Sequence, residues 1–300
     1  MTQQQLSLFD LDKVVNVASV PKRSPFRYPG GKTWLVPRIR QWLSSLKEKP
    51  SEFIEPFTGG GIVSLTVAFE RLANHVLMVE LDEEVAAVWL AILGEDAVWL
   101  ADRIASFELT IENVEEVLSK EAISTRDKAF KTILKNRVQR GGILANGAGL
   151  IKYGENGKGI ASRWYPDTLK RRILDIATVK DRITAIQGDG LAVMEQYTNR
   201  SDAVFFIDPP YTSSGKSAGS RLYNHSQLDH ERLFTLASNL AGDFLMTYDN
   251  AQEVQTLAEQ HGFDTEAIAM KNTHHAKMTE LLIGRNLDWI RQYRTEGMSF

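Results

Sequence analysis

A carboxylate followed by two prolines and a tyrosine, Asp208-Pro209-Pro210-Tyr211, comes directly after the apolar run 203–207. Because proline fixes φ and lacks a backbone N–H, the predicted strand must end here, and the carbonyls of Asp208 and Pro209 are left as hydrogen-bond acceptors. Such acceptors can hold both hydrogens of a planar amine, for example the exocyclic amine of a nucleobase, while Tyr211 stacks on its ring. A simple strand-ending turn has the same composition, so these four residues alone leave both interpretations open.

A glycine-rich loop lies between a predicted strand and a predicted helix in the first third of the chain. Gly59, Gly61 and Ser64 occupy the G-x-G-x-x-G/A positions, and Glu80 follows 19 residues beyond Gly61. This spacing delivers a carboxylate to ribose hydroxyls, so NAD and S-adenosyl-L-methionine both fit, whereas the alternative is a plain glycine turn beside a core acid. We recognise no hydride-transfer constellation, and the acceptors at Asp208 require an electrophile such as a sulfonium methyl. The sequence therefore favours S-adenosyl-L-methionine.

A second glycine motif, Arg27-Tyr28-Pro29-Gly30-Gly31-Lys32-Thr33, lies near the N-terminus. Its Gly31-Lys32-Thr33 triplet resembles the end of a nucleotide phosphate loop. That pattern requires a glycine five residues before Gly31, where this chain has Phe26. ATP hydrolysis is therefore disfavoured. A glycine pair followed by lysine can still place a cation and closely approaching backbone beside an adenosyl ligand or a flipped base.

Composition limits the class of protein and the chemistry available to it. The chain has 300 residues, of which 43% are hydrophobic and 24% charged, enough for a large ordered core. It has no cysteine, which excludes disulfides, thiolate metal ligands and cysteine nucleophiles, and His274-His275 lacks companion ligands at metal spacing. No apolar run approaches the roughly 18 residues of a membrane span, and the polar start is unlike a signal peptide. We therefore predict a cytoplasmic protein without a metal or a membrane partner.

Charge is distributed very unevenly around the net value of −3. Residues 80–121 contain twelve acids and two bases, a net of −10, whereas residues 126–182 contain fourteen bases and five acids, a net of +9. The basic stretch is predicted to contact the phosphates or base edges of double-stranded DNA, although each charge taken alone is more typical of a solvated surface. The candidates are Arg137, Arg140, Arg163, Lys170, Arg171 and Arg172, with Lys216 and Arg221 in the polar loop after Tyr211.

Hydrophobic periodicity predicts an α/β fold with a doubly wound, Rossmann-like sheet. Strands are expected at 52–55, 75–79, 183–186, 203–207, 243–247, 263–269 and 279–283. Helices are expected at 37–46, 62–72, 83–93, 98–106, 114–119, 126–140, 228–240 and 251–261. We predict a flexible tail at 1–24, a catalytic domain made of 25–93 and 183–300, and a mainly helical target-recognition domain inserted at 94–182.

Four motifs, taken together and in this order, resemble those of a known enzyme family. They are Arg27 to Lys32, Phe53 to Gly61, Glu80-Leu81-Asp82 and Asp208 to Tyr211. The chain is similar in these motifs to the Dam-like, D12-class adenine-N6 DNA methyltransferases. Asp189 and the segment from Glu280 to Ile283 fit as well, so the resemblance covers most of residues 25–286.

The resemblance implies roles for particular residues. The family's cofactor-binding positions match Tyr28, Lys32, Glu80 and Asp208, with Gly59 and Gly61 shaping the loop and Phe57 and Asp189 beside the cofactor. Its catalytic motif matches Asp208, Pro209, Pro210 and Tyr211. Two features depart from the pattern. Glu80 stands where Asp is more usual, and the basic middle segment is unlike the part of the Dam enzymes that reads GATC, so the target sequence stays open.

Three function classes follow, in order of preference. The first is a site-specific methyltransferase that modifies N6 of a flipped adenine in duplex DNA. The second is an amino-methyltransferase acting on RNA or on a protein side-chain amide, a class that often has Asn in place of Asp208, and the third is a catalytically silent DNA-binding module.

Two expectations concern partners. Residues 5–9, Gln-Leu-Ser-Leu-Phe, resemble the short peptide by which bacterial proteins dock on the replication sliding clamp, although chance would also produce such a match. We expect a monomer, because one adenine requires one pocket.

Overall fold

The computed structural model describes residues 20–28, 30–144, 148–210, 228–271 and 277–291. Within these residues one sheet contains the strands β1 (Glu52–Glu55), β2 (His75–Glu80), β3 (Ile183–Gln187), β4 (Ala203–Ile207), β5 (Phe244–Asp249), β6 (Asp264–Lys271) and β7 (Lys277–Gly284). Their order is β3-β2-β1-β4-β5-β7-β6, and only the pairs made by β7 are antiparallel. The predicted strand bounds lie within two residues of these.

One helix precedes β1, and the others follow β1 to β5 along the chain. They are α1 (Val36–Ser45), α2 (Ile62–Glu70), α3 (Glu83–Leu93), α4 (Ala97–Ser106), α5 (Ile111–Ser119), α6 (Thr125–Val138), α7 (Pro166–Ala177), α8 (Gly190–Tyr197), α9 (His230–Asn239) and α10 (Gln252–Gln260). The predicted doubly wound, Rossmann-like α/β class is thereby confirmed. Helices α7 and α8 were not predicted from the sequence. Among the described residues, no helix has both the length and the apolar character needed to cross a membrane.

The central strands β1 and β4 are parallel and buried. Every residue of β4 is buried, and Phe53 and Ile54 of β1 are buried as well, as strands covered by helices on both faces require. Strand β1 lies between β2 and β4, with Glu52 in register with His75 on one side and Ala203 on the other. The chain therefore winds outward in both directions from the gap between β1 and β4. Ligands of such sheets bind at the carboxyl ends of the strands beside this switch point.

The predicted insertion at 94–182 contains α4, α5, α6 and α7 together with short 3₁₀ turns. Its helices are joined by an aromatic group in which Phe107 meets Phe130 and Trp164 edge to face, with centroids 5.2 and 5.9 Å away. Apolar side chains of α4, α6 and α7 belong to the same buried cluster as those of α2 and β1. These helices thus extend the core on one side of the sheet.

Opposite charges also join this helical segment to α3. Lys128 and Lys135 of α6 each lie 2.7 Å from a carboxylate of α3, Glu83 and Glu84 respectively. The acidic stretch at 80–121 therefore partly neutralises the basic stretch at 126–182, and the charge asymmetry in the sequence is in part an internal pairing.

Candidate active site

The loop between β1 and α2 turns sharply at the carboxyl end of β1. Gly59 and Gly61 have φ of 47° and 61°, a left-handed conformation that glycine adopts without strain. The ring of Tyr28 lies against the loop, so close that a Cβ on Gly59 would stand 2.5 Å from it. On the other side the indole N–H of Trp89 donates to the Gly59 carbonyl at 3.1 Å. The loop is therefore held from both sides at the carboxyl end of β1, where Gly59 and Gly61 are buried and Gly60 is half-buried.

Glu80, at the carboxyl end of β2, accepts hydrogen bonds with both oxygens. Its Oε2 accepts the N–H of Gly59 at 2.7 Å, and its Oε1 accepts the N–H of Asp82 at 2.9 Å. Burial raises the pKa of Glu80 to about 7, although these two N–H groups favour the charged form. Donors such as ribose hydroxyls would further stabilise the ionised carboxylate.

The surface next to Glu80 fits an adenosyl group. Leu81 and Ile186, at the ends of the adjacent strands β2 and β3, are large apolar side chains that are 46% and 39% exposed. Asp189, which follows β3, accepts the N–H of Leu191 at 2.9 Å and begins α8, and Phe57 in the first loop is half-buried. Exposed apolar area beside a carboxylate at a nucleotide-type loop is what an adenine ring and its ribose require. The predicted cofactor residues are thus brought to one edge of the sheet.

The acceptor corner lies at the end of β4, one strand away from the glycine loop. Asp208 Oδ1 accepts the hydroxyl of Thr247 from β5 at 2.7 Å and lies 3.0 Å from Lys32 Nζ. Two partners from different elements fix the orientation of this carboxylate. Pro209 is buried and Pro210 half-buried directly after it, so the chain cannot continue the sheet ladder.

Lys32 connects this corner with β7. Its ammonium is only 3% exposed and lies 3.4 Å from Glu280, whose Oε2 is buried and makes an ion pair rather than a well-formed hydrogen bond. Burial opposes the charge on Lys32, yet the nearby Asp208 and Glu280 raise the pKa of the ammonium above its ordinary value. Burial raises the pKa of Glu280 to about 7, and the negative charges of Asp208 and Asp249 act in the same direction. Lys32, predicted as a cofactor residue, is therefore placed against the acceptor corner.

Residues 28–140 match the D12 class N6 adenine-specific DNA methyltransferases. This match confirms the resemblance predicted from the motifs, and it includes the N-terminal motif, the glycine loop and Glu80. Together with the sheet order, it indicates an S-adenosyl-L-methionine-dependent methyltransferase. None of the curated proteins compared with the chain matched it.

Solved structures similar to the chain include several methyltransferases. The rRNA methyltransferase AviRa of Streptomyces viridochromogenes is 14% identical, with 88% of this chain and 89% of that chain covered and a TM-score of 0.40. A methyltransferase of Geobacter sulfurreducens is 14% identical, with 87% and 81% covered and a TM-score of 0.38. A precorrin-6y C5,15-methyltransferase of Geobacter metallireducens is 10% identical, with 86% and 91% covered and a TM-score of 0.37.

The basic residues predicted to bind DNA do not share one environment. Arg137, Arg163 and Arg172 come together around a cavity, whereas Arg140 and Arg171 are exposed. Lys170 lies 2.7 Å from Asp102 in an ion pair on the surface. Contact of any of these residues with DNA stays a prediction.

Several predicted residues lie outside the part of the chain that the structure describes. They are Tyr211, Lys216, Arg221, the histidine pair at 274–275 and the clamp-like peptide at 5–9. Among the described residues, no three histidine or carboxylate side chains are grouped to hold a metal ion.

Two residues that support the site, Glu55 and Asn136, were not predicted from the sequence. Glu55 is buried behind the glycine loop, where its Oε2 accepts the N–H of Ser64 at 3.1 Å. Asn136 of α6 is fully buried and hydrogen-bonds both backbone groups of Arg27 at 2.9 Å, fixing the segment that leads into Tyr28. Glu55 lies within the motif from Phe53 to Gly61, so a role for its carboxylate in this loop could have been predicted from the sequence. The partners of Asn136 are 109 residues away, and the sequence carries no sign of that contact.

Proposed function

We propose that the protein is a site-specific DNA methyltransferase that transfers a methyl group from S-adenosyl-L-methionine to N6 of adenine. The observation that carries this proposal is the position of Asp208 and Pro209. They form an acceptor corner at the carboxyl end of β4, beside the switch point and one strand from the glycine loop and Glu80. The match to the D12 class supports adenine in DNA as the substrate.

The corner would hold the amine through acceptors alone. The Asp208 carboxylate and the Pro209 carbonyl would each take one hydrogen of N6, which aims the nitrogen lone pair toward the cofactor. Because Thr247 and Lys32 fix Asp208, little reorganisation is needed when the amine arrives. S-adenosyl-L-methionine would supply the sulfonium methyl group as the electrophile and leave as S-adenosylhomocysteine. The methylated N6 would then lose one proton to solvent.

Charge around Asp208 also suits the reaction. N6 becomes cationic as it gains the methyl group, and a carboxylate held in place stabilises that charge. Lys32 alone would weaken this effect, but Glu280 lies 3.4 Å from the same ammonium and offsets its charge. Extruding the adenine from the duplex costs about a few kcal/mol of stacking, which contacts within the pocket must offset.

The test is incubation with methyl-labelled S-adenosyl-L-methionine and unmethylated genomic DNA, followed by nucleoside analysis and modification-sensitive sequencing. We expect N6-methyladenine in one sequence context. Asp208→Asn should lower turnover by roughly two or more orders of magnitude, as removal of an electrostatic group at a reacting centre commonly does, and leave duplex binding within about twofold. Asp202→Asn is the matched control, because Asp202 is an exposed residue just before the amino end of the same strand.

Other outcomes would replace the proposal. Label found on RNA or on protein, and absent from DNA, would establish the second class of amino-methyltransferase. Binding of the cofactor without transfer to any substrate would indicate the silent module, and equal loss of activity in Asp202→Asn would refute the role of the corner.

A further inference from the structure

A cavity of about 320 Å³ lies between the N-terminal segment, α6 and α7. Five cationic side chains line it: Lys22, Arg27, Arg137, Arg163 and Arg172. No acidic residue is among the described residues that form its wall. The volume is several times that of the roughly 30 Å³ occupied by one water molecule, so a group of several heavy atoms can enter.

Arg137 is the most buried of these cations, with 5% of its surface exposed. One terminal nitrogen donates to the Pro25 carbonyl, and its buried Nε has no hydrogen-bond partner in the described structure. Burial lowers the pKa of the Arg137 guanidinium to about 9, and the positive charges of Arg172 and Arg27 act in the same direction. A buried guanidinium with other cations around it requires an anion to offset its charge.

Arg172 repeats this pattern on α7. It donates to the Ser24 carbonyl at 2.9 Å, and its Nε is also buried with no hydrogen-bond partner among the described residues. Burial lowers the pKa of this guanidinium, as does the charge of its neighbour Arg171. Neither Arg137 nor Arg172 forms an ion pair with a described carboxylate, whereas other basic residues of the same segment, Lys128, Lys135 and Lys170, each do. The selective absence of carboxylates at this cavity indicates a site for an exogenous anion.

The cavity also borders the candidate active site. Tyr28 and Gly60, which form part of its wall, belong to the N-terminal motif and the glycine loop. The same tyrosine ring lies against Gly59 on the cofactor side. An anion in the cavity would therefore lie beside Tyr28 and Gly60, at the glycine loop.

We propose that this cavity, hereafter the arginine pocket, binds a backbone phosphate of the nucleic-acid substrate near the target nucleotide. The planar guanidinium groups of Arg137 and Arg172 would donate to its oxygens. That this polymer is DNA rests on the proposed function. The other source of a similar oxyanion is the carboxylate of the cofactor's methionyl group.

Direct binding distinguishes these sources without any turnover. Affinity for an unmethylated DNA duplex is measured against salt concentration for the wild type, Arg172→Gln and the control Arg182→Gln. Arg182 undergoes the same charge change and ends the same basic stretch, but it is not among the candidate DNA contacts. It precedes the amino end of β3, whereas the cavity borders the glycine loop at the carboxyl end of β1. We expect Arg172→Gln to bind the duplex roughly tenfold or more weakly, with a slope of log affinity against log salt that is smaller by about one. Arg182→Gln should match the wild type.

Inorganic phosphate provides a second measurement that uses no DNA. Millimolar phosphate should raise the melting temperature of the wild type more than chloride of equal ionic strength does, and this difference should shrink in Arg172→Gln. An unchanged salt slope, or equal losses in Arg172→Gln and Arg182→Gln, would overturn the proposal. Weaker binding of S-adenosylhomocysteine with unaltered duplex affinity would instead assign the pocket to the cofactor's carboxylate. Because methylation is not measured, failure of the proposed function would leave these results interpretable.

Discussion

Glu55 shows how one residue can support both an element and a site. Helix α2 begins after Gly61, which has no side chain to cap the free N–H groups of the first turn. The carboxylate of Glu55 reaches from the end of β1 and accepts the N–H of Ser64, in the first turn of that helix, at 3.1 Å. A negative charge at a helix N-terminus is favourable, but this one is buried. Burial is the larger effect, and it raises the pKa of Glu55 to about 8.

This pKa makes the free energy of unfolding depend on pH in a definite direction. The folded protein holds a proton on Glu55 up to about pH 8, whereas the unfolded chain loses it near 4.5, the ordinary value for Glu. The resulting stabilisation is fully present below about pH 4.5 and is lost as pH rises through 8. Glu55→Gln should therefore be more stable than the wild type at pH 9, by on the order of a few kcal/mol, and nearly equal to it at pH 5.

Urea unfolding at these two pH values checks the prediction, with the exposed Glu121→Gln as the control for a change in net charge. If Glu55→Gln lowers the free energy of unfolding equally at both pH values, the prediction is wrong. The ionised carboxylate of Glu55 would then stabilise the fold by more than the cost of burying its charge. Glu80 and Glu280 have raised pKa values as well, so the Glu55→Gln variant should still lose some stability as pH rises.

Gly61 in the glycine loop is constrained both by its backbone conformation and by its neighbours. Gly61 adopts φ of 61°, and a Cβ there would stand 2.8 Å from both Met78 Cε and Trp89 Cζ2. Gly262, after α10, adopts a similar φ of 67° with no atom within 4 Å of the added Cβ. Both glycines therefore require a left-handed backbone conformation, but only Gly61 lacks space for a Cβ.

Comparing alanine at these two glycines separates strain from packing. Both variants should lose about 1–2 kcal/mol because Ala disfavours the left-handed conformation. Gly61→Ala should lose about 1–3 kcal/mol more, because the rigid Trp89 ring cannot move aside as the Met78 terminus can. It should also weaken S-adenosylhomocysteine binding, measured by calorimetry, whereas Gly262→Ala should not. Cofactor affinity equal in both variants would show that the loop tolerates displacement of Trp89.

Elements with strong apolar patterns were predictable from the sequence, and the exceptions have physical reasons. In α7 the buried residues Leu169, Ile173 and Ile176 follow helical spacing, but the Lys-Arg-Arg run after Leu169 is also typical of a DNA contact and does not indicate a helix by itself. Helix α8 is only eight residues long and begins at a glycine, which is a poor helix signal. Asp208 and the glycine loop were predictable because each is a local motif. The contacts of Lys32 with Glu280 and of Asn136 with Arg27 join distant parts of the chain, and no local pattern specifies them.

At the scale of the whole molecule, the inserted helices share the core of the catalytic sheet. Ile104 of α4, Ile133 of α6 and Ile173 of α7 are fully buried in the same cluster as Phe53 of β1 and Leu65 of α2. Ion pairs between α3 and α6 and the hydrogen bonds of Asn136 to Arg27 cross the predicted boundary at residue 94. The helices are therefore tied to the rest of the protein by apolar, ionic and hydrogen-bonded contacts together.

A shared core predicts that the insertion and the sheet unfold as one cooperative unit. Hydrogen exchange followed by mass spectrometry at increasing urea should show peptides from α6 and from β4 reaching global exchange at the same denaturant concentration. A peptide from the exposed end of α5 serves as the control for local opening and should exchange earlier, since Val114 is the only residue of that helix that is fully buried. Exchange of α6 well before β4 would contradict the prediction and would mean that residues 94–182 fold as a separate domain. In that case Arg137 and Arg172 would be positioned by their own unit, and the arginine pocket would depend on how that unit docks against the N-terminal segment.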